Sequence, residues 1–230
     1  MRFYSALALY NYCFSLILTR MKKVALALVL LPLCAFKPGS PAIKACNTYE
    51  KTCYFKEQVY SQHDWKSFYA LREPSFRFNP ELYDIHLLNA CLFFATNKLR
   101  FCQNCQPFTY SKKLTRAAAT HTHEMVTKNF FSHYNNNNKK LYTPWDRINY
   151  YGDKSAYSAE NCALDFTEED KPETYIQLAE KIIQAWYNSP GHRQNMLNPE
   201  YTRLGCGAEI VPGTEYDAHY VKATQDFSGD

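Results

Sequence analysis

One short stretch constrains this chain more than any other: Ser189-Pro190-Gly191-His192, placed directly behind an apolar stripe. The stripe, Ile176, Ala179, Ile182, Ile183 and Trp186, has helical spacing. Proline cannot continue a helix and glycine takes backbone angles that other residues avoid, so the chain should turn sharply at Gly191. That turn sets His192 beside a helix end. Two upstream pieces carry the polar groups that would meet it: Phe130-Phe131-Ser132-His133 and Ala159-Glu160-Asn161. A histidine, a glutamate and a histidine on three separate turns are more than local helix or strand structure requires.

The rest of the chain reads as helices first and strands last. Asn79-Pro80-Glu81 has the form of a helix start, followed by Leu82, Ile85, Leu88, Leu92 and Leu99 up to Arg100. A second helix is expected from Ser111 to about Asn129, with Leu114, Ala118, His121 and Met125 on one face. Thr143-Pro144-Trp145-Asp146 starts a third, and Pro172 opens the fourth. Ser158 to Phe166 should be extended. Leu204, Cys206, Ala208 and Ile210 alternate with Gly205, Gly207 and Glu209, and Tyr220 to Phe227 alternate again. The layout is α+β, with helices covering a small antiparallel sheet.

Composition narrows the function classes. With 46% hydrophobic and 21% charged residues the chain is globular, and a net charge of +4 with scattered Lys and Arg argues against nucleic acid as a partner. Met21-Lys22-Lys23 followed by the apolar run Val24 to Phe36 has the shape of a secretory signal and is short for a bilayer span. The expected organisation is a leader over 1–45, with the signal at 21–45 and cleavage near Ala45, an aromatic extension over 46–79, and one domain over 80–230. No transmembrane span is expected in the mature protein. Lipidation at Cys34, giving an envelope lipoprotein, is the alternative to plain secretion.

Seven of the 9 cysteines lie beyond that leader, an odd number in a compartment that permits disulfides. Cys102-Gln-Asn-Cys105 suits a structural disulfide, local or to the extension, better than a redox pair, since no strand precedes it and it opens no helix, or a zinc site, since no second ligand pair accompanies it. Cys46 and Cys53 would close the extension. Cys162 and Cys206 read as buried thiols, or as a disulfide if their strands lie together.

The histidine and glutamate pieces belong to a longer pattern. It comprises Thr96 to Arg100, His121 to Met125, Phe131-Ser132-His133, Asp146-Arg147-Ile148 and Ala159-Glu160-Asn161. It continues with Trp186 to Leu197, Tyr201 to Gly207 and Gln225-Asp226-Phe227. In this order it resembles the CAP superfamily of cysteine-rich secretory, antigen 5 and pathogenesis-related proteins, and its Ser-Pro-Gly-His-Arg form resembles the bacterial branch. The resemblance implies a three-layer α/β/α sandwich with a cleft lined by two His and two Glu. His133, Glu160 and His192 match three of these, and Ser189 stands where the fourth, a glutamate, is found in the family. It also implies a binding module for a lipid, glycan or protein ligand. The rival is a metal-assisted hydrolase using His133, Glu160 and His192, with zinc between His133 and His192. The plainer expectation for all three is a buried polar network that pins loops to the sheet.

Overall fold

A computed structural model describes residues 55–168, 171, 173–211 and 218–230. The leader, Cys46 and Cys53 lie outside the described residues. Among the described residues, seven α-helices surround one four-stranded sheet. In chain order the elements are α1 (Val59–Gln62), α2 (Trp65–Tyr69), α3 (Ile85–Cys102), β1 (Thr109–Tyr110), α4 (Lys112–Thr127) and α5 (Pro144–Tyr150). They continue with β2 (Ser158–Glu168), α6 (Tyr175–Asn188), α7 (Pro190–Leu197), β3 (Arg203–Val211) and β4 (Ala218–Ser228). The sheet order is β1-β3-β4-β2, antiparallel except for the short parallel β1–β3 pair. β2 is therefore an edge strand.

Three layers result. On one face of the sheet, α3 and α6 enclose the main core with Leu204, Cys206, Ala208 and Ile210 of β3. On the other face, α4 lies directly on β3 because alternate residues there are glycine. A Cβ at Gly205 would sit 2.1 Å from the Thr115 backbone nitrogen, and one at Gly207 would sit 2.5 Å from Ala119 Cα. The strand alternation thus encodes two different packings: bulky residues toward α3 and α6, and bare backbone toward α4.

The helix caps explain most boundaries. Ser111, Thr143 and Thr174 accept from amides of the first turn, and Thr143–Asp146 and Thr174–Gln177 close capping boxes. Three expectations need correction. The fourth expected helix, α6, starts at Tyr175 behind its Thr174 cap, and Pro172 lies outside the described residues. The first long helix starts at Ile85, not at Pro80, because the Asp84 carboxylate accepts from both His86 N and Leu87 N. Asn79 instead turns onto Glu81 N. Ser189-Pro190-Gly191 does end α6, but it starts a helix at once: Pro190 is the first residue of α7 and Gly191 is an ordinary helical residue.

The extension before α3 packs by rings. Phe68 stacks on Phe94 of α3 with centroids 4.1 Å apart, and Tyr60 stacks on Tyr110 at 3.8 Å.

The Cys162–Cys206 disulfide is ruled out by register. Cys162 pairs with Thr224 and Cys206 with Gln225, so β4 runs between them and their side chains face opposite layers. Both are buried free thiols, as is Cys91. Cys105 is a free thiol, so the local Cys102–Cys105 disulfide does not form.

Candidate functional site

The edge of β2 brings the two layers together. Within β2, Glu160 points toward α4 and α5, and the next residue, Asn161, points toward α3 and α7. Each anchors a different set of groups.

On the Glu160 side, the side chain is 1% exposed and its carboxylate is held by three partners. Arg147 Nη2 of α5 donates to Oε2 at 2.5 Å, and His133 Nδ1 lies 2.8 Å from Oε1. Cys162 Sγ donates to Oε1 at 3.4 Å. Burial pushes this carboxyl up, but the His133 hydrogen bond and the Arg147 charge outweigh burial and hold it below its ordinary range. Arg147 is wholly buried and also donates to the carbonyls of Leu141, Tyr142 and His133. Opposite Glu160 on β4, Asp226 is wholly buried with neither oxygen in a well-formed hydrogen bond. Burial first, and then the Glu160 charge, push the Asp226 carboxyl far up.

The His133 loop is fixed from below. Helix α4 ends with Asn129 in the left-handed region, φ 50°. The buried Lys222 ammonium donates to the carbonyls of Met125 and Phe130 at that helix end. His121 Nε2 donates to the Ser132 carbonyl at 2.9 Å, which leaves its buried Nδ1 without a partner. Burial, chiefly, lowers the His121 pKa to about 4. A depressed histidine contributes stability that is complete above the ordinary value of 6.5 and is lost as pH falls from there to about 4. Denaturant unfolding between these limits should therefore lose up to about 3 kcal/mol in the native chain. The loss should be much smaller in His121→Gln, which has nothing to protonate; an unchanged slope would place the titration elsewhere.

On the Asn161 side, its Nδ2 donates to the His192 carbonyl at 3.1 Å, and its Oδ1 accepts from Asn195 Nδ2 at 2.9 Å. Gln225 continues the network to Thr96 of α3. Arg193 donates to the Tyr187 carbonyl, tying α7 to the end of α6. His192 is partly exposed in the first turn of α7. Partial burial lowers its pKa, and the nearby His133 lowers it further. His133 is thus held on Glu160 on one side of β2, and His192 is held through its carbonyl on Asn161 on the other. Ser189 caps α7 without a side-chain hydrogen bond and adds no charge to the cleft.

Two polar groups have the donor types of a metal site. In the first, His121, Glu160 and Cys162 bring one donor atom each to within 4.8 Å of one another. Arg147 occupies that cluster as its resident cation, and burial, with help from Glu160, pushes the Cys162 thiol up. A metal ion there would be pressed against a buried guanidinium, so this trio is an internal polar cluster. The second group is the pair expected from the sequence, His133 and His192. His133 turns Nδ1 to Glu160 and keeps Nε2 for another partner, the arrangement in which a carboxylate orients a metal-binding histidine. His133 and His192 would hold such an ion, and zinc there would supply a water of lowered pKa.

Sequence reading named His133, Glu160, His192 and Ser189. It missed that Arg147, Cys162 and Asp226 complete one cluster with Glu160. The Glu160↔Asp226 and Cys162↔Thr224 registers create that cluster, and alternation alone does not give register.

Helices on both faces of a small, mainly antiparallel sheet are the architecture of a CAP-type domain. The family model of that description, the cysteine-rich secretory protein family, matches residues 93–227, and the chain belongs to this family. The Bacillus subtilis protein YkwD is 30% identical over 112 residues, 49% of this chain and 38% of that protein. The membrane protein YlbC of the same organism is 28% identical over 114 residues, 50% of this chain and 29% of that protein. The chain thus spans well under half the length of these curated relatives. An extracellular protein with an SCP domain from Bacillus anthracis is similar at 28% identity and a TM-score of 0.46, over 62% of this chain and 40% of that one. An outer surface protein of Borrelia burgdorferi is similar at 16% identity and a TM-score of 0.48, over 68% of this chain and 99% of that one.

Proposed function

We propose that this is an exported or surface-attached binding protein whose cleft, between His133 and His192 along the β2 edge, takes a lipid, glycan or protein ligand. Export rests on the Met21 to Phe36 leader pattern and on the secretory character of the family. In this reading 1–45 is the leader, 46–79 the extension and 80–230 the binding domain.

One observation carries the preference for binding over catalysis: Glu160 is already fully engaged inside the protein. Its oxygens serve Arg147, His133 and Cys162, and its pKa is held low, which makes it a poor general base. The neighbouring thiol is buried with its pKa raised, the opposite of an activated nucleophile. His133 Nδ1 faces Glu160 and Cys162 alike, so one nitrogen would have to serve both. The second reading, a zinc-assisted peptidase or esterase using His133, Glu160 and His192, is favoured by the uncommitted His133 Nε2. Such zinc should dissociate on acidification, with the loss centred below pH 6.5 because His192 is shifted down.

The test offers lipid vesicles, oligosaccharides and a peptide and ester panel to the native protein, Glu160→Gln and a His133→Ala, His192→Ala double variant. We expect binding of one ligand class that weakens at least tenfold in the double variant and survives in folded Glu160→Gln, with no hydrolysis above background. Turnover that requires Glu160 would overturn the binding reading in favour of the hydrolase.

A further inference from the structure

A cavity lies away from the β2 edge and contains none of His133, Glu160 and His192. It has a volume of about 380 Å³ and is enclosed by the chain before α1, the start of α3, β1 and the start of α4. That is within the range of small-molecule sites. One wall is apolar, formed by the stacked Tyr60 and Tyr110 rings with Phe55 beside them. The α3 side presents Asn89, which is 5% exposed and whose Oδ1 is buried without a hydrogen bond. An unpaired buried acceptor of this kind is unfavourable until something donates to it. The mouth is basic: Lys56, Lys112 and Arg116 stand against a single carboxylate, Glu57. Glu57 is shared between Lys112 at 2.7 Å and the Tyr110 hydroxyl at 3.3 Å. The Arg116 guanidinium rests over the Tyr151 ring at 5.0 Å, which leaves its N–H fork for an anion.

Apolar wall, buried amide acceptor and cationic mouth together call for a ligand with an apolar side group, an N–H donor and a carboxylate. We infer that this cavity binds an acylated α-amino acid. Its amide N–H donates to Asn89 Oδ1, its side chain lies against Tyr60, Tyr110 and Phe55, and its carboxylate meets Lys112 and Arg116. The same chemistry occurs in a free N-acyl amino acid and in the C-terminal residue of a peptide.

Calorimetric titration of the full chain with N-acetyl-L-phenylalanine, its carboxamide and Gly-Gly-Phe tests the assignment. Measurable binding of the acid is expected, at least tenfold weaker for the carboxamide and at least tenfold weaker in Asn89→Leu and in Arg116→Glu. Comparable binding of Gly-Gly-Phe identifies a peptide terminus as the source, and its failure beside binding of the N-acetyl acid identifies the free acylated amino acid. Absence of binding by both acids overturns the inference, as does equal binding of acid and carboxamide. Unchanged affinity in folded Asn89→Leu does the same. Should Asn89→Leu fail to fold by circular dichroism, the Arg116→Glu variant decides, and unchanged affinity there overturns the inference.

Discussion

Replacing Arg147 with Met should destabilise the domain by about 3–5 kcal/mol, the cost of leaving one partner of a buried ion pair uncompensated. Arg147 is wholly buried, and its removal strips Glu160 of its 2.5 Å partner while also freeing three carbonyls. Glu160 would then be driven to bind a proton, since burial is the largest influence on it and is already unfavourable to the charge. Denaturant unfolding of Arg147→Met, Glu160→Leu and the double variant gives the measurement. The double variant should lose less than the sum of the singles, and less than Arg147→Met alone if the stranded carboxylate is the main cost. Strict additivity would show that the pair is not energetically coupled. Hydrogen exchange should rise first around His133, whose carbonyl Arg147 holds at 3.0 Å.

Adding a single methyl group at the sheet should be nearly as damaging. In Gly207→Ala the new Cβ meets backbone of α4, at 2.5 Å from both Ala119 Cα and Ala119 N, and in Gly205→Ala it meets Thr115 N at 2.1 Å. Backbone cannot rotate aside as a side chain can, so the helix must retreat from the sheet. We expect each change to cost at least about 3 kcal/mol, the upper part of the usual overpacking range. For a domain of this size that lowers the melting temperature by about 6–12 °C. Gly191→Ala is the control with the opposite sign. It is helical, has open space around its Cβ, and should gain about 0.5–1 kcal/mol. A melting temperature unchanged in Gly207→Ala would mean that α4 does not lie this closely on β3.

These two cases also show what the sequence could and could not tell. The glycine alternation of β3 is visible as a strand, and the cap at Thr143 is visible as a helix start, because both are local rules written in neighbouring residues. His133, Glu160 and His192 can be grouped only through a family resemblance, since nothing local ties residues separated by whole elements. The ion pair of Arg147 with Glu160 and the burial of Asp226 depend on strand register and on where α5 docks, which no single stretch specifies. Local rules also mislead where two signals compete. Asn79-Pro80 looks like a helix start, yet Asp84 caps two amides and wins. Ser189-Pro190-Gly191 looks like a stop, and it is one, but the same proline begins α7 and carries His192 on its first turn.

The position of β4 has a consequence for how the protein is made. The strand nearest the C-terminal end of the described domain lies between β2 and β3, which share no pairing of their own. During synthesis neither can complete its hydrogen bonds until Ser228 has left the ribosome. A nascent chain therefore holds no finished sheet, whatever helices have already formed. Topology makes closure of the sheet wait for β4.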